Sequence, residues 1–360
     1  MKLPDRKFTD DWAKAGKRFL GIAINGFSGA GKTFSALRLA TGVASGLTKH
    51  LGEQIDVWGI DADSGRMSHY DKYFKFRVVN LPPPHGALHF LAAIEHCVKK
   101  GAKVIVIDHL SAEHSGEGGL LDQMEAYLDK KEAQALAKNP NGYFSREAHH
   151  MASMKVPKEE RKVLERRIDS LTDVVFILCY RAADKVKPRK KGEEVPTGED
   201  KIKHLGWLPE TTSTLFYKMT ARFLLMPGAD GKPVLQPETK EEKLVVKMPE
   251  MFKGWFKDGF QLDEAMGEKL ARWHLGLDEE GKAAPVTPTT TLEVKPLGAN
   301  PQASAPGARA KQLITWLNTS TSTVQALSRW GQLATEPKEV LDAIAETHFA
   351  KLAELKESGL

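Results

Sequence analysis

The sequence predicts an α/β fold, with a mostly parallel sheet flanked by helices. Three observations predict it. Unbroken apolar runs of strand length recur along residues 1–280. Stretches with helical spacing alternate with them, and a glycine-rich turn stands where the first strand gives way to the first helix.

Residues 19–25 (FLGIAIN) are a short apolar run that leads into glycines, and they read as the first strand. Residues 33–44 (TFSALRLATGVA) carry apolar side chains at helical spacing. Residues 55–61 (IDVWGID) and 76–81 (FRVVNL) are strand candidates, and 88–99 is a helix. Residues 102–108 (AKVIVID) are aliphatic without interruption, the pattern of a strand buried on both faces. Residues 159–170 read as a charged amphipathic helix and 173–179 (DVVFILC) as a second buried strand. Residues 222–226 and 243–246 add strand candidates, and 261–275 closes the body as a helix.

The chain has 360 residues, room for two or three domains. Residues 281–308 hold five prolines among Thr, Ala and Gly, too little apolar surface to offset ordering, and read as a linker. It separates a body, 1–280, from a tail, 309–360, whose apolar residues fall at helical spacing and predict a small helical module. Apolar residues make up 41% and charged residues 28%, which excludes wholesale disorder. No apolar run approaches the roughly 20 residues of a membrane span, and the first residues lack the apolar core of a secretion signal. Two cysteines, Cys97 and Cys179, exclude a disulfide framework and fit a reducing, cytoplasmic compartment. The net charge, 52 − 47 = +5, permits a polyanionic partner.

Gly26-Phe27-Ser28-Gly29-Ala30-Gly31-Lys32-Thr33 matches G-x-x-x-x-G-K-[ST] between a strand and a helix. Glycines let the backbone wrap so that several N–H groups point at one phosphate, and the helix N-terminus adds partial positive charge. The motif assigns these eight residues to a nucleotide, Lys32 to its β/γ-phosphates and Thr33 to Mg²⁺. The partner carboxylate belongs at the end of a buried strand, which makes Asp108 the second metal-holding residue, through water. Hydrolysis also needs an acid to orient or deprotonate water. Asp61, Asp63, Glu113 and Glu117 are the candidates.

Residues 181–191 (RAADKVKPRKK) place six cations against one acid after the 173–179 strand. Read as a loop, they offer Lys185, Lys187, Arg189, Lys190 and Lys191 to nucleic-acid phosphates, with Tyr180 and Trp207 flanking. The basic stretch 155–167 is diluted by Glu159, Glu160 and Glu165 and reads as a helix surface. His109, His114, His149 and His150 lack the spacing and cysteine neighbours of a zinc site and read as loop or sheet-edge residues.

The motif loop, IDADSG at 60–65, VIVIDHLSAEHSGEGGLLD at 104–122 and FILCYRAADK at 176–185 together resemble bacteriophage RecA-like ATPases. Within that family they are most similar to the Sak-type ATPases found beside single-strand annealing and recombination genes. The resemblance spans about residues 18–275. It implies ATP as the nucleotide, Asp63 as the water-activating acid (Asp where Glu is usual), a homo-oligomer, and single-stranded DNA as partner of the basic loop. It also implies a polar sensor at the end of the fourth core strand. Cys179-Tyr180-Arg181 holds that position, so Arg181 is expected at the γ-phosphate or across a subunit boundary. The expected function is a Mg²⁺-dependent ATPase of phage DNA recombination in the bacterial cytoplasm. The alternatives are an ATP-gated adaptor recruiting a protein partner through its C-terminal helices and a small-molecule kinase on the same loop.

Overall fold

The computed structural model describes residues 16–188, 202–257 and 259–277. The linker 281–308 and the tail 309–360 lie outside the described residues. In order, the chain forms β1 (Gly21–Gly26), α1 (Lys32–Leu51), β2 (Val57–Asp61), a 3₁₀ turn (Arg66–Tyr70), β3 (Phe76–Asn80), α2 (Ala87–Lys99) and β4 (Val104–Asp108). There follow α3 (Ala112–Ser115), α4 (Leu120–Lys138), α5 (Arg146–Ser153), α6 (Lys155–Ser170), β5 (Val175–Pro188), β6 (Ile202–Pro209), α7 (Leu215–Lys218), β7 (Ala221–Leu225), α8 (Lys240–Val245), a 3₁₀ turn (Glu250–Phe252) and α9 (Glu264–Leu275).

The fold is α/β around one sheet, ordered β3-β2-β4-β5-β1-β7. Those six strands run parallel, and β6 pairs antiparallel with the outer part of β5. Parallel strands point the same way, so one sheet edge collects the C-terminal ends of the core strands, with β5 alone running on past it. The register sets Asp61 beside Asp108 and Gly26 beside Arg181 on that edge.

Side chains alternate between two apolar layers, which is why the core strands read as unbroken runs. Val104 and Val106 of β4 pack with Leu37, Val43 and Leu270 of α1 and α9. Ile105 and Ile107 point the other way, toward Phe90, Ile94 and Ile168 of α2 and α6. Among the described residues no helix is long and apolar enough to cross a membrane.

Two expectations are corrected. Residues 243–246, expected as a strand, mostly belong to α8. A capping box starts that helix: Thr239 Oγ1 accepts the Glu242 N–H, and the Glu242 carboxylate accepts the Thr239 N–H. The strand expected at 173–179 does not stop there. It continues to Pro188, because β6 supplies a partner for the N–H and C=O groups of residues 182–188. The described part of the basic loop is therefore one arm of a hairpin.

α1 and α9 approach closely through glycines. A Cβ on Gly42 would collide with the Glu264 backbone, and one on Gly267 would meet Leu39 and Val43. An exposed helical glycine replaced by alanine gains about 1 kcal/mol. At this crossing overpacking costs about 1–3 kcal/mol and outweighs it. Gly42→Ala is expected to lower the unfolding free energy by about 1 kcal/mol in urea. A more stable variant would contradict the close approach.

Candidate functional site

β1 ends in Gly26, and the chain then wraps into the N-terminus of α1. Gly29 and Gly31 hold φ of +83° and +81°, a left-handed conformation that glycine adopts without strain. No side chain caps α1 and no acid lies in its first turn, so its amides and dipole are available to an anion. Lys32 turns back, and its Nζ donates to Phe27 O at 2.8 Å. Burial pulls the Lys32 ammonium below its ordinary pKa, while Cys179 and the Asp108 carboxylate act in the opposite sense. The loop thus holds a nearly buried cation on a carbonyl that an anionic ligand can outbid.

Thr33 Oγ1 donates to Asp108 Oδ2 at 2.5 Å. This contact joins residues 75 positions apart, the first turn of α1 and the end of β4. Asp108 is only 7% exposed. Burial pushes its carboxyl above the usual range, with the Thr33 hydrogen bond and the Lys32 charge opposing. An oxygen pair of this kind suits a hard divalent cation. Magnesium keeps several waters and phosphate oxygens, so it needs no cage of protein ligands. Among the described residues no group of three or more His, Cys, Asp or Glu side chains forms such a cage. The donor set therefore fits Mg²⁺ shared with a phosphate.

The four candidate acids separate clearly. Asp61 is buried and holds its own turn, with Oδ1 accepting from Asp63 N at 2.8 Å and Oδ2 from Met67 N at 2.7 Å. Glu113, one of the candidates, is instead a buried residue of α3. Arg161 of α6 grips both its oxygens, Nε to Oε1 at 2.9 Å and Nη2 to Oε2 at 2.6 Å. The stretch 155–167 is a helix with Lys155, Lys158, Lys162 and Arg166 exposed, as expected, but Arg161 departs from the surface reading and is only 5% exposed. Glu117 is exposed beyond α3. Asp63 lies just past β2, and Asp108, Lys32 and His109 all feel its charge. It receives Arg181 Nη2 on Oδ1 at 3.0 Å and Arg66 Nη1 on Oδ2 at 3.1 Å. Of the four, Asp63 combines proximity to the loop with partial exposure.

The structure brings together Gly26, Phe27, Ser28, Gly29, Ala30, Gly31, Lys32, Thr33, Asp63, Asp108 and Arg181 at one sheet edge. Lys185 and Lys187 stand on the outer part of β5. Arg189, Lys190 and Lys191 lie outside the described residues. Lys203 of β6, which the sequence reading missed, pairs in register with Lys187 and bonds to Glu241 at 3.3 Å. The hairpin also touches the loop. Trp207 of β6 meets the Phe27 ring edge-on, with centroids 5.3 Å apart.

An aromatic cluster beside the loop was also missed. Phe34, in the first turn of α1, meets Tyr70, Tyr73 and Phe74 edge-on at 5.9, 5.8 and 5.1 Å. Burial raises the Tyr70 phenol, which lies beside Thr33 and feels the charge of Asp108. The YDKYF run at 70–74, so soon after IDADSG, was the available signal. His109 follows Asp108 and is buried, which pulls its imidazole down to about 3 and leaves it neutral at pH 7.

No protein-family model matches the chain, and no curated protein matches it either.

The Arg161–Glu113 pair braces the chain just past Asp108, and Arg161 also donates to Thr212 Oγ1 at 2.6 Å. Removing one partner of a buried pair strands the other charge. Arg161→Ala is expected to cost about 3–5 kcal/mol in urea unfolding. A loss below about 1 kcal/mol, the range of exposed pairs, would contradict this bracing role.

Proposed function

We propose that the protein is a magnesium-dependent P-loop ATPase of the RecA-like kind that acts on single-stranded DNA in recombination. The single observation that carries the reading is the 2.5 Å contact between Thr33 Oγ1 and Asp108 Oδ2. It unites a glycine loop on an uncapped helix with a buried carboxylate, the two halves of a magnesium–triphosphate site. The parallel sheet, with its loop at the strands' C-terminal edge, supports the same reading. ATP rather than another triphosphate rests on the sequence resemblance. The aromatic surface of Phe34 and Tyr70 suits a flat heterocyclic base.

On this reading each residue has a defined task. The amides of residues 29–33 surround the β-phosphate. Lys32 leaves the Phe27 carbonyl for the phosphate oxygens. Thr33 and Asp108, now bonded to each other, would hold a magnesium ion, Thr33 through its hydroxyl and Asp108 through water. A magnesium ion held there would supply charge neutralisation to the phosphates. Asp63 orients water and accepts its proton as the water oxygen bonds to the γ-phosphorus and the bond to the bridging oxygen breaks. The cationic row of Lys185 and Lys187 neutralises phosphates of the DNA strand.

ATP turnover with and without single-stranded DNA tests this function. Lys32→Ala is expected to lose about 100-fold or more in turnover, the scale of removing one charge-stabilising donor. Lys185→Glu with Lys187→Glu is expected to weaken DNA binding about tenfold at low salt, with the difference shrinking as salt rises. Full turnover by Lys32→Ala would refute the ATPase reading. DNA affinity unchanged by the charge reversal would refute the nucleic-acid reading.

A further inference from the structure

Asp63 has both carboxylate oxygens engaged by arginines. Arg66, three residues away and largely exposed, holds Oδ2. Arg181 comes from β5 and holds Oδ1. The Arg181 backbone is fixed, because its N–H donates to Ser111 Oγ at 3.0 Å and its register partner is Gly26. Its side chain is 43% exposed and free to change partner. A guanidinium on each carboxylate oxygen occupies lone pairs that a proton from water would otherwise take. The acid best placed to receive a proton from water is therefore closed in this state.

The same arginine begins a row of cations. Alternate residues of a strand share a face, so 181 and 185 stand on one side of β5, and 187 follows on that side past a register shift at Lys185/Val186, where β6 carries the extra residue. At about 3.3 Å per residue, Lys185 is about 13 Å and Lys187 about 20 Å from Arg181 along the strand. A polyanion of several phosphates lying on Lys185 and Lys187 reaches Arg181 at the end of the row. A phosphate can take a guanidinium through two parallel N–H bonds. Asp63 holds Arg181 through one, at 3.0 Å. The exchange is thus favourable for Arg181 once the polyanion is in place, and it needs no movement of the sheet.

We propose that the Arg181–Asp63 ion pair is a latch on this site, and that a single-stranded polynucleotide along Arg181, Lys185 and Lys187 opens it by drawing Arg181 onto a phosphate. The latch rests on the ATPase reading above. Arg66 keeps Asp63 oriented through Oδ2, and Oδ1 becomes the proton acceptor. Hydrolysis is then tied to the presence of the strand without any contact between the strand and the nucleotide.

The test is steady-state Mg-ATP turnover by the full chain, with and without an oligothymidylate, in wild type, Arg181→Gln and Arg181→Lys. Nucleotide affinity is measured separately by calorimetry. The latch predicts that Arg181→Gln without DNA turns over within about twofold of DNA-saturated wild type, with a stimulation ratio near one. Arg181→Lys keeps an ion pair to Asp63 and is expected to retain stimulation. If Arg181→Gln binds nucleotide normally but turns over more slowly than unstimulated wild type, Arg181 serves the reaction itself and the latch is overturned. A wild-type stimulation ratio in Arg181→Gln overturns it equally. Absence of turnover in wild type would sink the ATPase reading and the latch with it, an outcome told apart because it shows without any substitution.

Discussion

The hydrogen bond from Thr33 to Asp108 is the contact on which the site depends. Neither residue is placed by its neighbours in sequence. Thr33 is fixed by the start of α1, and Asp108 by the end of β4. In the sheet, β5 stands between β1 and β4. The loop must therefore arch across the end of β5 for α1 to reach the acid. That arch is what Gly29 and Gly31 allow with their positive φ. The close fit of α1 on α9, glycine against backbone, holds the helix at the angle the arch needs.

The layer beneath the sheet serves the same edge from the other side. Glu113 and Arg161 fix the chain that leaves β4. Glu165, one turn further along α6, accepts the Ser213 hydroxyl at 2.6 Å and the Thr214 N–H at 3.0 Å, fixing the chain that leaves β6. Two buried acids on or against one helix thus anchor both segments around the site. Buried charges are costly unless paired and hydrogen-bonded, and both acids have partners. The β5–β6 hairpin grows from this braced base. It meets the site twice, through Arg181 at Asp63 and through Trp207 at Phe27.

The strands buried on both faces were the most directly legible, although β3, read as a strand over 76–81, is largely exposed. β1, β4 and the inner half of β5 announce themselves as aliphatic runs, and the glycine motif fixes the first crossover. α4 was not legible, because it buries only Leu120, Met124 and Leu128 and carries little apolar periodicity. The 243–246 run looked like a strand because Leu244, Val245 and Val246 adjoin, yet T-x-x-E at 239–242 was a capping signal in plain view. The outer half of β5, rich in Ala and Lys, has little strand propensity of its own, and its partner β6 decides its conformation. In the site, the motif residues and Asp108 could be read locally. The fate of Glu113 could not, since Arg161 stands 48 residues away. Asp61 and Asp63 differ by which one points back into its own turn, a matter of backbone path rather than residue type.

The proposed function requires that Thr33 and Asp108 be able to hold a magnesium ion together with a triphosphate in the loop. Calorimetric titration of ATP into the protein, with magnesium and then with excess chelator, tests it most directly. A saturable heat at one site per chain is expected in magnesium, and it should weaken strongly in chelator. No heat in magnesium, or the same binding curve in both buffers, would contradict it.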